Sequence, residues 1–523
     1  MKSVSTFIKR TCILATAPLF FMACSEDIMD DINRDINHTQ DTQAKFILAD
    51  VITSTAFSNA GGDINTYTAT YIEHEVGTHN QLYRAEIRQG EPSTSSTFNN
   101  SWGSLYRALK HSKIVIDKCS EGGPQEGNDV TKGMAEVLAA YNLALITDLF
   151  GDAPFTEAGD YNISLTPKLD KQQAIYEAVH AYLDAAIVDL QKSDAHGSGG
   201  PREYDLLYQG NASKWLKLAY GLKARYTMRL MKHSANVNAD MQKVLEYTSK
   251  SFTSPADQAS FAIYSATNLN PLFDFQWSRD GLAASRSMAD KLIERNDPRL
   301  RRVFTGADWM QVAEVEKDDE VYEMMAPNGT NVEQQYVYNT STFVYSQTAP
   351  TLLMSYHEVL FLKAEAMQRL GGSASEIEST LKSAVVAAIA NTEINVKAGF
   401  SAPTVLSYGG IEETTEAISP EEAATYFETS VKPLFKANPL KEIVNQKYIA
   451  FFGASGESTE AYNDIRRLIA NGDDLIELKN PNRFPQRLPY GNDDTTTNPN
   501  IQEAFGNGQY VYTEPVWWAG GSR

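Results

Sequence analysis

The chain has 523 residues, and its 66 acids against 46 Lys and Arg give a net charge of −20, which argues against a nucleic-acid backbone as partner. A hydrophobic fraction of 42% is enough for a sizeable core, so two or three domains, or one large body with loops inserted between helices, are both open. Tyr outnumbers Phe, 26 to 22, and a ring with a polar tip suits binding surfaces as well as half-wet cores.

At the amino terminus Lys2, Lys9 and Arg10 flank an apolar stretch over 11–23, too short to span a bilayer but suited to a secretory signal over 1–23. The segment ends Phe21-Met22-Ala23-Cys24, which looks like a bacterial lipobox, in which Cys24 becomes the mature N-terminus and carries the lipid. The alternative is an ordinary signal peptide with Cys24 incidental. Residues 24–40 then form an acidic tether. No other run of 18 apolar residues follows, so lipid rather than a helix would hold the chain to a membrane. Of the three cysteines, Cys12 leaves with the signal and Cys24 is acylated. Cys119 is left alone, a buried small hydrophobe with no disulfide partner.

The body reads as mostly α. Ala44, Ile47, Leu48, Val51 and Ile52 mark a first helix, and 67–88 a second one interrupted near Gly77. Trp102, Leu105, Tyr106, Leu109 and Ile116 form an apolar stripe, and after the break at 121–127 Met134, Val137, Leu138, Tyr141 and Leu145 repeat it. The spacing predicts an antiparallel helix pair, each member one-sided. It stops at Phe150-Gly151-Asp152-Ala153-Pro154, with Gly where the chain needs positive φ and Pro just beyond. The Trp-x-x-Leu opening is similar to the tetratricopeptide pattern, in which such pairs stack.

Helices over 175–190 and 215–230 follow, the second entered through Asn211 as N-cap. Helical spacing fades over 252–281 and resumes over 287–304, with a break at Asn296-Asp297-Pro298-Arg299. From 305 to 349 short β-like runs (336–338 and 343–345) lie among Gly, Asn and Pro. A one-sided helix over 352–367 ends at Gly371-Gly372, with its partner over 377–390. Further helices are expected at 420–429, 441–452 and 457–468, then an irregular tail from Asn480 in which Trp517 and Trp518 read as a closing staple. The organisation is therefore one helical body over 41–523, with insertions at about 252–281 and 305–349.

Several motifs copy known chemistry imperfectly. In His74-Glu75-Val76-Gly77-Thr78-His79 the histidines are five apart rather than four, so they do not share a helical face, and zinc hydrolysis is not expected. Asp31, Asn33 and Asp35 match the opening of a calcium loop, but Ile36 stands where Gly is needed and Thr42 where a bidentate Glu is needed. No Gly-rich phosphate loop, nucleophile elbow or Cys/His constellation is present, and the number of acids alone does not identify a glycosidase pair. Arg466 and Arg467 beside Asp464 read as a helix-surface ion pair that locks the fold rather than as an anion clamp.

Binding is the better-supported chemistry. Trp277 lies in Phe273-Asp274-Phe275-Gln276-Trp277-Ser278-Arg279-Asp280, where polar groups flank a ring in a stretch without helical periodicity. A sugar presents an apolar C–H face and a rim of hydroxyls, met by a ring below and by groups such as Arg279 and Asp280 at the side. Further candidates are Tyr71, Asn80, Tyr83 and Arg84 around Gly77, and Trp309, Tyr336 and Tyr338 in the second insertion. For each Tyr a core role is the competing reading. Ring contacts contribute about 0.5–1.5 kcal/mol each beyond area burial. Two or three of them with a few hydrogen bonds leave net binding near about 4–6 kcal/mol, roughly millimolar to tens of micromolar.

Taken in order, these blocks resemble the SusD/RagB-like outer-membrane lipoproteins of Bacteroidetes, in a branch divergent from the founding starch binder. The likeness rests on the lipobox at Cys24, the Trp102-x-x-Leu105-Tyr106 helix, and Ala139-Ala140-Tyr141 running to Phe150-Gly151-Asp152-Ala153-Pro154. It continues through Asn296-Asp297-Pro298-Arg299, Tyr356-His357-Glu358-Val359 and Glu460-Ala461-Tyr462-Asn463-Asp464-Ile465-Arg466-Arg467, and ends at Arg487-Leu488-Pro489-Tyr490. Met22-Ala23 instead of Leu-Ala opens the lipobox. The resemblance implies a tetratricopeptide-like helical scaffold that captures oligosaccharides at the cell exterior, lipid-anchored in the outer membrane, and hands them to a SusC-like TonB-dependent transporter. It implies no catalysis and no cofactor. Some members hold a structural calcium, which this sequence does not locate. The alternatives are a helical-repeat scaffold for a protein partner, capture of peptide rather than glycan, and a secreted glycosidase.

Overall fold

From Gly133 to Phe150 every residue of the helix Asp129–Phe150 is buried, so this helix is enclosed on all sides and not one-sided as its stripe suggests. Its length and hydropathy would suit a membrane span, but its apolar 18-residue stretch lies wholly inside the protein. The computed structural model describes residues 42–88, 96–160, 162–196, 200–330 and 335–523. The signal-like segment, Cys24, the acidic tether and the Asp31-Asn33-Asp35 spacing lie outside the described residues.

Fourteen helices carry the argument, in chain order α1 Ala44–Thr53, α2 Asp63–Tyr71, α3 Asn80–Ile87, α4 Ser96–Cys119, α5 Asp129–Phe150, α6 Gln172–Asp189 and α7 Ala212–Arg229. They continue with α8 Val237–Lys250, α9 Pro271–Arg279, α10 Arg286–Glu294, α11 Tyr356–Arg369, α12 Ala374–Phe400, α13 Pro439–Ala450 and α14 Ser458–Ala470. α5 is surrounded by α1, α4, α6 and α7, and consecutive helices pack as pairs: α4 with α5, α7 with α8, α11 with α12. A helix so enclosed must satisfy its polar groups internally. Asn142 donates to Thr55 Oγ1 and to Leu138 O, both at 2.8–2.9 Å, and accepts from Asn59 Nδ2 at 2.8 Å. Gly151 ends the helix at φ 78°, as its position predicts. Asn211 caps α7 by accepting from Lys214 N at 3.2 Å. Cys119 is buried and free, and burial pushes its thiol up to about 12.

Four two-stranded antiparallel ladders are present among the described residues. One pairs Glu75–Gly77 with Leu282–Ala284 and replaces part of the helix expected over 67–88. Gly77 is the reason the chain can turn there: a Cβ on it would lie 2.2 Å from the carbonyl oxygen of Leu82. The β-like runs at 336–338 and 343–345 are instead 3-10 turns, Gln335–Val337 and Thr342–Tyr345, around the short strand Thr340–Ser341.

Arg466 and Arg467 also depart from expectation, because both are buried. Arg467 holds Glu365 of α11 in a two-pronged pair at 2.7 and 2.9 Å, and Arg225 of α7 holds Glu358 at 2.8 and 2.5 Å. Arg229 bonds Glu460, and Lys447 reaches Asp464 at 2.6 Å. The charged residues of these later blocks therefore tie α7, α11, α13 and α14 together inside the body. A desolvated charge needs such partners.

Candidate functional site

α9 is a short helix in the insertion where no helical periodicity is visible, and it carries Trp277. Asn270 starts it by accepting from Leu272 N at 2.9 Å, and Pro271 occupies the first helical position, where its missing N–H is not needed. The same Asn270 donates to the carbonyls of Ala349 (2.8 Å) and Ala454 (3.2 Å), which fixes the helix to the body. Asp280 closes it in the left-handed region at φ 47°, its N–H donating to Gln276 O. At 3.6 residues per turn Phe273 and Trp277 share one side, Phe275 and Arg279 the opposite one, and Asp274 and Ser278 form the crest between them.

On the Trp277 side four rings converge from four stretches of chain. Trp277 stacks on buried Phe273 at 12° with centroids 5.5 Å apart. Trp309 meets Trp277 at 82° and 6.1 Å, and Tyr408 meets it at 61° and 5.4 Å. Tyr345 lies against Trp309 at 5.3 Å. Phe273, Ala402, Val405 and Ile411 form the floor, Trp277, Trp309 and Tyr345 are half-buried, and Tyr408 is 75% exposed. Met310 and Leu406 continue the exposed apolar rim.

The Trp309 loop is held firmly. Trp309 has φ 66°, a region unfavourable for a bulky side chain and tolerated where the surroundings enforce it. Its N–H donates to Gly306 O, its carbonyl accepts from Glu412 N, and Gln311 Oε1 accepts from the N–H groups of Thr414 and Thr415 at 2.8 Å. Asp280 lies near Tyr345: burial pushes that phenol's pKa up and the Asp280 carboxylate adds to the rise, against a bond to Thr340.

The residues expected to bind are thus only partly brought together. Trp277 and Trp309 belong to one cluster, and Asp280 ends the helix that carries Trp277. Arg279 turns the other way, its guanidinium 5.3 Å above the Phe275 ring. Tyr71 is 1% exposed, packed near Tyr67 and Tyr462, and its carbonyl accepts from Arg88, so it is a core ring and not a ligand contact. Tyr338 is likewise buried, in a small cluster with Val76, Ala283 and Ala326. Asn80 and Arg84 are exposed and Tyr83 half-buried on α3, while Tyr336 is exposed in its turn. Sequence reasoning missed Tyr408 and Tyr345. The available signal for Tyr408 was a ring directly before Gly409-Gly410, both at positive φ, in a stretch without helical spacing.

The metal-like motif comes apart. His74 is buried between Ser458 Oγ (2.9 Å) and Tyr448 O (3.1 Å), and burial holds its pKa down near about 3, whereas His79 is exposed. Among the described residues no group of three His, Cys, Asp or Glu could hold a metal ion. Trp518 is buried beneath the guanidiniums of Arg229 and Arg466, and Trp517 stacks on His233 at 4.1 Å, so the tail is stapled to the body.

The sequence model of the SusD-like family described as "starch-binding associating with outer membrane" matches residues 36–490. Among solved structures, the chain is similar to a SusD/RagB family protein of Bacteroides thetaiotaomicron, with 54% identity over 92% of this chain and 100% of that one, and a TM-score of 0.86. It shares the fold of a protein described as chitin-binding (23% identity, 91% and 99% covered, TM-score 0.67). The same holds for a SusD homolog of Bacteroides fragilis (17% identity, 91% and 100% covered, TM-score 0.67). No curated protein matches.

Proposed function

Because the chain belongs to the SusD-like family described as starch-binding and associating with the outer membrane, we propose that it is a cell-surface nutrient-binding lipoprotein. In this reading it captures oligosaccharides noncovalently and passes them, unaltered and without a cofactor, to a SusC-like TonB-dependent transporter. The lipid on Cys24 holds it to the membrane through the tether over 24–40. The observation that carries the reading is the solvent-facing cluster of Trp277, Trp309, Tyr345 and Tyr408 on a floor of buried apolar residues. Rings of this kind stack on the C–H faces of sugars, and Asp280 at the end of the helix that carries Trp277 supplies an acceptor for hydroxyls.

Affinity gels cast with a panel of soluble glycans test it. The intact protein is retained by at least one of them, and Trp277→Ala lowers that retention with an unchanged melting temperature. Equal retention would remove this cluster from the ligand. Co-purification of a TonB-dependent barrel from detergent extracts separates nutrient delivery from a scaffold that binds some other protein. Release of reducing ends from the same panel would indicate a glycosidase.

A further inference from the structure

The side of α9 that faces away from the ring cluster borders a separate hollow of about 350 Å³, between that helix, α2 and α4. Its charged lining is Asp63, Asp274, Arg107 and Arg279, and the rings of Phe57 and Phe275 stand in its wall. None of the four charged groups is in an ion pair among the described residues, whereas the buried Arg225, Arg229 and Arg467 are each matched to a carboxylate. Arg279 is close enough to Asp63 to lower its pKa, against the larger upward push of burial, yet the two do not bond. Two unpaired signs of charge thus face one concave space beside aromatic walls.

We propose that this hollow is a second saccharide subsite, which takes a neutral, hydroxyl-rich unit of the same oligosaccharide whose other end rests on the Trp277 cluster. The proposal rests on the glycan-capture reading above. A hydroxyl is both donor and acceptor, so adjacent hydroxyls of one sugar satisfy a carboxylate and a guanidinium in turn. An acidic sugar would bring a third carboxylate up to Asp63 and Asp274. The two faces are separated by α9, and a helix with its side chains is about 10–12 Å across. A disaccharide reaches one face only, while a longer chain crosses the low crest of Asp274 and Ser278 to occupy both.

Calorimetry on the full chain in detergent micelles tests this, with maltose and maltoheptaose, cellobiose and cellohexaose, and hexagalacturonate as probes. The expected result is that a neutral oligosaccharide binds about tenfold or more tightly than its own disaccharide, and that Arg107→Ala/Asp274→Ala abolishes this gain while leaving disaccharide binding unchanged. Both residues are exposed, so the variant is expected to fold, and its melting temperature checks that. Retention of the full gain in the double variant, or hexagalacturonate binding more tightly than the neutral chains, overturns the subsite and leaves the Trp277 surface standing. If Trp277→Ala binds every probe as the intact protein does, the capture reading fails and the subsite with it.

Discussion

The indoles of Trp277 and Trp309 stand almost perpendicular, at 82°, with centroids 6.1 Å apart, and each comes from a different insertion. Tyr408, 75% exposed at 5.4 Å from Trp277, extends the same surface toward solvent. A ring so exposed contributes little to folding, so Tyr408→Ala is expected to leave the melting temperature within a degree or two. It should weaken glycan binding by about 0.5–1.5 kcal/mol, roughly two- to tenfold. Calorimetry beside a thermal melt checks both halves. A large drop in melting temperature with unaltered binding would assign Tyr408 to structure.

Glu365 and Arg467, each 1% exposed, form a fully enclosed two-pronged pair in the helical body, and Arg369 adds a bond to the same carboxylate at 2.8 Å. Burial alone would raise the Glu365 pKa, but Arg467 and Arg369 more than reverse this and hold it at about 2. Glu365→Ala takes the two-pronged partner from buried Arg467, leaving it Asp464 alone and leaving Arg369 with Asp473, and is expected to reduce stability by about 3 kcal/mol. Glu365→Leu combined with Arg467→Met removes both charges and should recover much of that loss. Urea unfolding of the two variants is the measurement, and equal stability of single and double variants would show that the charge left on Arg467 is not the cause.

These two sites mark what could and could not be read from the residues. α5 and α7 were legible because their apolar stripes run for several turns and their ends carry Gly151 and Asn211, residues with a specific conformational or capping role. That α5 is enclosed was not legible, since a stripe reports one buried face and says nothing of neighbours on the others. α9 was missed because nine residues give little more than two turns, too few for a repeat to show, although Asn270-Pro271 was a usable start signal. Arg467 reads as a surface residue because charges usually are, and its partner Glu365 lies about a hundred positions away. Tyr408 and Trp309 are neighbours only through the fold, so ring identity pointed to the chemistry while the grouping needed long-range packing.

Gly151 offers a sharper local test. At φ 78° and ψ −132° it occupies a region nearly closed to other residues, and a Cβ would lie 2.9 Å from the Arg523 carbonyl oxygen and 3.0 Å from the Arg487 guanidinium. Gly151→Ala therefore combines backbone strain with a collision against the tail and is expected to reduce stability by about 1–3 kcal/mol. Differential scanning calorimetry reads this directly. A variant as stable as the parent would mean that the tail at Arg523 is not packed against the end of α5.

The last prediction concerns pH and follows from two buried carboxyls that lack a salt-bridge cation. Glu75 accepts from the Ser341 hydroxyl, and Glu86 accepts from Gly329 N at 2.6 Å. Burial pushes both pKa values from 4.5 up to about 8. Below 4.5 folded and unfolded chains both hold these protons. Between 4.5 and 8 the unfolded chain has ionised while the folded one keeps its protons, so stability falls as pH rises and levels off once pH passes the folded value. Buried His74 and His180 act in the opposite sense, but only below their ordinary 6.5, so the window from 6.5 to 8.5 reports the carboxyls, with Glu136, which burial also pushes up to about 8, adding to the slope. The expected slope there is a loss of about 1.4 kcal/mol per pH unit for each fully shifted group. Glu75→Gln/Glu86→Gln keeps the shape without the ionisation, and should make the profile shallower, leaving the share of Glu136, and leave the variant more stable than the parent at pH 8.5. A parent whose denaturation midpoint stays level or rises from pH 6.5 to 8.5 would show that Glu75, Glu86 and Glu136 reach solvent or a cation when they ionise.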